Sequence, residues 1–140
     1  MNDTPTLSTE QRDQLISAAC AIRDRAYVPY SRFRVGAALL SPDGRIFTGV
    51  NVENASYGLT VCAERNAVGR MVADGAQCIA ALAVCTDNGV TPCGACRQVL
   101  MEFVPPDADA PVYIIDGQGH VRETTLFTLI PDHFGPRHLQ

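Results

Sequence analysis

Ile79 to Cys85 is a seven-residue run with no polar side chain, Ile-Ala-Ala-Leu-Ala-Val-Cys. Successive residues of a strand point to opposite faces, so a strand that is apolar at every position has to be covered on both. This run therefore belongs in the middle of a sheet with a layer of structure on each side. A chain of 140 residues makes one domain with one core, and the rest of the sequence must supply both layers.

The flanking segments have the patterns to do so. Ser8 and Gln11 fit a capping box, which predicts a helix to about Arg25 with Leu15, Ala19, Ile22 and Ala26 on one face. Pro29 restricts Val28 to extended backbone and stops that helix. Val35–Leu40 and Ile46–Val52 are short apolar runs separated by Ser41-Pro42-Asp43-Gly44, a turn sequence, and are read as a hairpin. Residues 53–60 form a loop, and Val61–Asp74 is a helix closed by Gly75. After a loop at 86–92, Ala95–Phe103 is helical until Pro105-Pro106, and Val112–Ile115 is a second buried strand.

The alternation of strand and helix implies right-handed crossovers and parallel neighbours. Asp116-Gly117-Gln118-Gly119 is too short to carry a crossover, so Val121–Thr125 should run antiparallel to the strand before it. Leu126–Ile130 is one helical turn, followed by a tail. The expected fold class is α/β: a three-layer α/β/α domain on a mixed five-stranded sheet whose last strand is antiparallel. Residues 1–8 are read as a flexible N-terminal tail and 9–140 as the one domain.

Charge and hydropathy limit the partners. The formal net charge is −4, whereas nucleic-acid binding usually leaves a basic stripe, so no nucleic-acid partner is expected. No apolar run is long enough to span a bilayer, and no basic-then-apolar leader is present, so no membrane association and a cytoplasmic location are expected.

Cysteine usage is the unusual feature. Cys20, Cys78 and Cys85 sit among Ala, Ile, Leu and Val and read as small buried hydrophobes. Cys62, Cys93 and Cys96 sit in Cys62-Ala63-Glu64-Arg65 and Pro92-Cys93-Gly94-Ala95-Cys96, each at the start of a predicted helix. Disulfides are rare in a cytosolic chain. A Cys-x-x-Cys pair alone is a redox dithiol or half of a structural zinc site. Three ligands without a histidine nearby, however, leave a position for water, which is the catalytic pattern, and Glu64 stands two residues from Cys62. A closed zinc site with Cys85 or Cys20 as fourth ligand stays open at this point, as does Glu64 as a helix-start carboxylate favoured by the dipole.

A Cys-x-Glu element followed by Pro-Cys-x-x-Cys is the zinc-deaminase signature, with the glutamate not a ligand. Together with Tyr30-Ser31-Arg32-Phe33-Arg34-Val35-Gly36-Ala37-Ala38-Leu39, Asn51-Val52-Glu53-Asn54-Ala55-Ser56-Tyr57, the run on to Leu100 and Leu129-Ile130-Pro131-Asp132-His133-Phe134-Gly135, the chain resembles the small homotetrameric cytidine deaminases over nearly its whole length after residue 8.

The resemblance implies hydrolytic deamination of cytidine and deoxycytidine to uridine and deoxyuridine plus ammonia, in pyrimidine salvage. Zinc-bound hydroxide would attack C4, with one zinc per subunit held by Cys62, Cys93 and Cys96 and with Glu64 as the proton shuttle. It places Phe33 against the nucleoside, Asn51 and Glu53 at the ribose 3′-hydroxyl, the backbone of Ala63 at the pyrimidine carbonyl and that of Thr91 at the departing amine. Ala55, Tyr57 and Phe134 would complete a neighbouring subunit's pocket in a homotetramer.

Read without the resemblance, Phe33 is core packing and Asn51 and Glu53 a solvated turn. Gly58 and Thr60 depart from the family's usual Pro and Gly, and Arg34 is variable. Three thiolates on Zn²⁺ sum to −1, which opposes making hydroxide. The amides of the two helix starts and Arg65, which in the family donates to cysteine sulfurs, are expected to offset this. Rival substrates are aminonucleoside antibiotics and nucleic acid, and a zinc-stabilised binding module is the non-enzymatic alternative.

Overall fold

The computed structural model describes residues 7–139. Five strands, β1 (Gly36–Leu40), β2 (Ile46–Val50), β3 (Ala81–Cys85), β4 (Pro111–Ile115) and β5 (Val121–Thr125), form one sheet in the order β2-β1-β3-β4-β5. Four helices accompany it: α1 (Thr9–Ile22), α2 (Ala63–Ala73), α3 (Gly94–Met101) and the single turn α4 (Leu126–Leu129).

β3 is central, and its side chains split between two cores. Leu82 and Val84 face a cluster with Ala67, Val68 and Met71 of α2 and Leu100 and Met101 of α3. Ala81, Ala83 and Cys85 face Leu15 and Ala19 of α1, with Ala38, Leu40, Tyr113 and Ile115. All five β3 residues are buried, as a strand apolar on both faces must be. Glycine brings a helix close on each side. A Cβ on Gly36 would lie 2.1 Å from the carbonyl oxygen of Ala19, and one on Gly49 would lie 2.4 Å from the Ala63 oxygen and the Ala67 nitrogen.

The capping box forms: the Ser8 hydroxyl accepts from the Gln11 amide at 3.1 Å, and the Gln11 side chain accepts from the Ser8 amide at 3.2 Å. The helix tightens to a 3₁₀ turn over Arg23–Arg25. Of the expected apolar face, Leu15, Ala19 and Ala26 are buried. Leu7 packs against the α1-side core. Within the tail expected over 1–8, residues 1–6 lie outside the described residues.

β1 and β2 form the expected hairpin, with Gly44 at φ +89° in its turn, and β5 is antiparallel to β4. The expectation of parallel neighbours holds for β3 and β4 but not for β2 and β3, because β1 lies between them and is antiparallel to both. β2 and β3 thus run the same way without touching. β2 also ends at Val50, since Val52 makes only isolated bridges to Tyr27 and Val61.

Candidate active site

The two cysteine motifs meet at the N-termini of α2 and α3. Cys62 and Cys93 are the N-cap residues, in extended backbone, and neither side chain caps its helix. Both sulfurs are therefore free for other work, and Cys96 follows one turn into α3. The Sγ atoms of Cys62, Cys93 and Cys96 lie within 4.8 Å of one another, with 3.4 Å between Cys93 and Cys96. Zinc bound to thiolates at about 2.3 Å in tetrahedral geometry sets sulfurs about 3.8 Å apart, so this soft three-sulfur donor set fits the ion.

Among the described residues no histidine or carboxylate joins the three sulfurs as a ligand group. Cys20 and Cys85 lie 2.9 Å apart by their sulfurs in the core on the α1 side of the sheet. The closed site with one of them as fourth ligand is therefore not formed.

Charge is organised around the cluster. The Cys62 thiol is drawn down to about 5, chiefly by the hydrogen bond from Cys96 and further by Arg65. The Cys96 thiol is pushed up by its bond to Cys62 and by burial. Arg65 Nη2 lies 3.8 Å from Cys62 Sγ and donates to the Thr60 carbonyl at 3.4 Å. Because that acceptor is a main-chain oxygen, the departure from the family pattern at residue 60 leaves the contact intact. Glu64 is only 4% exposed, and burial lifts its carboxyl to about 7, with the Cys62 charge adding to the rise.

A cavity of about 330 Å³ opens over the sulfurs. Cys62, Ala63, Glu64 and Cys93 line one side, Phe33, Val35, Asn51 and Glu53 a second, and Thr86, Val90 and Thr91 a third. The cavity is thus lined by every sequence-predicted site residue except Cys96, which is buried and joins through the sulfur cluster, Arg65, which reaches Cys62, and Ala55, Tyr57 and Phe134, which stand apart from it. Tyr57 is 75% and Phe134 56% exposed on the surface. Tyr57 lies near Tyr30, with ring centroids 5.8 Å apart, and Phe134 stacks on His138 at 5.3 Å.

Asn51 and Glu53 are not a solvated turn. Asn51 Nδ2 donates to the Phe33 carbonyl at 2.8 Å, and Asn51 Oδ1 accepts from the Val35 amide at 2.9 Å. Glu53 Oε1 accepts from the Tyr30 and Ser31 amides at 2.9 and 3.1 Å, and its Oε2 from the Ser31 hydroxyl. These bonds, the Ser31 hydroxyl first, hold the Glu53 carboxyl below the usual range. The same hydroxyl accepts from the Phe33 amide at 3.0 Å. Both side chains therefore set the segment that carries Phe33.

Ser31 and Thr86 escaped sequence reasoning. Thr86 is 1% exposed, and its Oγ1 accepts from the amides of Gly89 and Val90 at 2.9 and 3.2 Å, which folds the loop over the cavity. The Thr86-Asp87-Asn88-Gly89 stretch is a hydroxyl-capped turn signal that could have found it.

The sequence model of the family described as the cytidine and deoxycytidylate deaminase zinc-binding region matches residues 9–108. This chain belongs to the cytidine and deoxycytidylate deaminase family. A relative in Halalkalibacterium halodurans named cytidine deaminase is 50% identical over 125 residues, 88% of this chain and 93% of the relative. A cytidine deaminase of Mycobacterium tuberculosis is 49% identical over 112 residues, 79% of each chain. The crystal structure of the cytidine deaminase from Burkholderia pseudomallei superposes with a TM-score of 0.81 at 45% identity, covering 91% of this chain and 100% of that one. The three-layer architecture with its mixed sheet is thus that of the deaminase family, and zinc is the family's metal. No helix among the described residues is long and apolar enough to cross a membrane.

Proposed function

We propose that this chain catalyses hydrolytic deamination of cytidine and deoxycytidine to uridine and deoxyuridine with release of ammonia. The observation that carries this reading is a cluster of three cysteine sulfurs beside a cavity that Cys62 and Cys93 line together with the buried Glu64. Cys62, Cys93 and Cys96 hold zinc. Zinc bound there supplies Lewis acidity that lets water act as a nucleophile near neutral pH.

The chain's own residues do the rest. Glu64 takes a proton from the attacking water and delivers it to N3 of the cytosine ring, which makes C4 electrophilic. It then takes the proton of the hydroxyl added at C4 and carries it to the amine, so that ammonia leaves and C4 keeps a carbonyl oxygen. Burial raises the Glu64 carboxyl above the ordinary carboxylate range, which suits a group that must both take and give a proton. The Ala63 amide donates to the pyrimidine carbonyl, the Thr91 backbone meets the amine, and Phe33 lies against the nucleoside. Asn51 keeps one amide hydrogen beyond its bond to Phe33, and Glu53 keeps lone pairs beyond those used at Tyr30 and Ser31, for the ribose 3′-hydroxyl. Arg65 offsets the negative charge of the sulfurs.

The working form is a homotetramer in which Ala55, Tyr57 and Phe134 complete a neighbour's pocket. The exposure of Tyr57, Leu59 and Phe134 supports this, since large apolar groups left on a surface mark contacts. Free thiols throughout the described residues support a reducing, cytoplasmic setting and a role in pyrimidine salvage. The test is a panel of cytidine, deoxycytidine, cytosine and CMP, following loss of ultraviolet absorbance and ammonia release with metal analysis alongside. Turnover of both nucleosides by protein with one zinc per chain is expected. Zinc-loaded protein that releases no ammonia from either nucleoside overturns the reading.

A further inference from the structure

Thr91 and Pro92 form a strap between the loop held by Thr86 and the start of α3. Thr91 lines the cavity, and Pro92 leads directly into Cys93. Among the described residues neither finds a backbone–backbone hydrogen bond, and Pro92 has no amide to offer. Something other than secondary structure must fix the strap, because a pocket wall and a sulfur ligand both depend on where it lies.

Arg97, on α3 immediately after Cys96, meets that need. Its guanidinium is bonded in three directions. Nε donates to the Pro92 carbonyl at 2.7 Å, Nη2 to the Thr91 hydroxyl at 2.8 Å, and Nη1 to the Leu129 carbonyl at 2.6 Å. The first two bonds grip the strap. The third ties it to the end of α4, where Leu129 packs against the main core. No acceptor is a carboxylate, and Arg97 enters no ion pair among the described residues. The side chain is thus spent on geometry and not on neutralising an acid. A planar fork reaches three acceptors in these directions from three separate nitrogens, whereas a lysine ammonium offers its three donors from one nitrogen and cannot span them.

We propose that Arg97 is a positioning residue for the deamination, holding the Thr91–Cys93 strap so that the pocket wall at the amine and the Cys93 sulfur keep their places. This rests on the deaminase reading given above. A misplacement of about 1 Å at a reacting centre can lower a rate by about 10²-fold, so loss of the fork falls on turnover more than on nucleoside affinity.

The test uses zinc-loaded R97K and R97A beside the unsubstituted protein. It measures zinc stoichiometry, thermal midpoint, kcat and KM for cytidine, and peptide-level hydrogen exchange across residues 86–97. Both variants are expected to keep one zinc per chain and lose at least about tenfold in kcat, while KM moves by less than about threefold. Exchange should quicken in 86–93 and not in the sheet. Added guanidinium should restore part of the kcat of R97A where an equal concentration of sodium chloride does not.

A zinc-loaded variant with kcat within about twofold of the parent, or a lowered thermal midpoint with no change in kcat or in exchange over 86–93, overturns the assignment. If R97A does not fold, R97K decides alone, because it keeps the charge and the stem but not the fork. A parent that releases no ammonia overturns the deaminase reading itself, a result distinct from an active parent with equally active variants.

Discussion

Arg65 places Nη2 3.8 Å from the Cys62 sulfur, while its Nε is buried with no hydrogen-bond partner among the described residues. Leaving such a donor unpaired has a cost, and the position is consistent with a cation kept for its charge on the thiolate. Replacing Arg65 with alanine should lower kcat by about 10- to 100-fold, the usual effect of removing a group that supports a metal's ligands. Steady-state kinetics with zinc analysis checks this, and a fully active, zinc-replete R65A would show Arg65 to be dispensable.

Glu64 offers a cleaner separation of metal from proton chemistry. It is buried beside the sulfurs without being among them. Glu64→Gln preserves shape and should retain zinc, yet lose at least about 10³-fold in kcat, in the upper range for a general acid–base group. Zinc titration and turnover on the same preparation test both halves of the statement.

Chelation should abolish turnover and lower the thermal midpoint, because a ligand bound only by the folded chain stabilises it by mass action. Re-addition of zinc should restore both. Calorimetry before and after dialysis with a chelator, each sample assayed with cytidine, provides the check.

Gly49→Ala probes the contact between β2 and α2. The added Cβ would lie 2.4 Å from Ala63 O and Ala67 N, both backbone atoms that cannot swing away. Overpacking of this kind costs about 1–3 kcal/mol, and the helix displaced is the one that presents Cys62 and Glu64. Chemical denaturation should show the lost stability, and kcat should fall with it.

Glu53 links the pocket wall to pH. Its folded-state pKa lies below the unfolded value, the Ser31 hydroxyl being the largest cause. The associated stability is therefore present above the unfolded glutamate value of about 4.3 and is lost as pH falls through the lower folded value. Ser31→Ala should lower the thermal midpoint near neutral pH, and the gap to the parent should close in acid. Midpoints measured from neutral to strongly acidic pH would reveal the convergence.

Much of this architecture was readable from local chemistry. β3 was legible because Leu82 and Val84 need one apolar layer and Ala81, Ala83 and Cys85 another. The antiparallel β5 followed from a turn too short for any other path. The insertion of β1 between β2 and β3 was not legible, because hairpin periodicity fixes which residues pair within it and not which edge meets the next strand. At the site, the cysteines and Glu64 were legible by spacing. The grip of Asn51 and Glu53 on residues 30–35 was not, since their partners there are mostly main-chain groups, distant in sequence and identical at every position. Arg97 was hidden for the same reason, with carbonyls of Pro92 and Leu129 as two of its three acceptors.

The bonds from Asn51 to the backbone of Phe33 and Val35 couple two tasks mechanically. In the proposed reaction, the side chain that greets the sugar also tethers the aromatic wall, so a tug on one end is felt at the other. Nucleoside affinity and reactivity should then not separate cleanly: Asn51→Ala, which frees the Phe33 segment as well as removing a sugar contact, would show its defect in the rate constant at saturation as well as in the concentration needed to reach it.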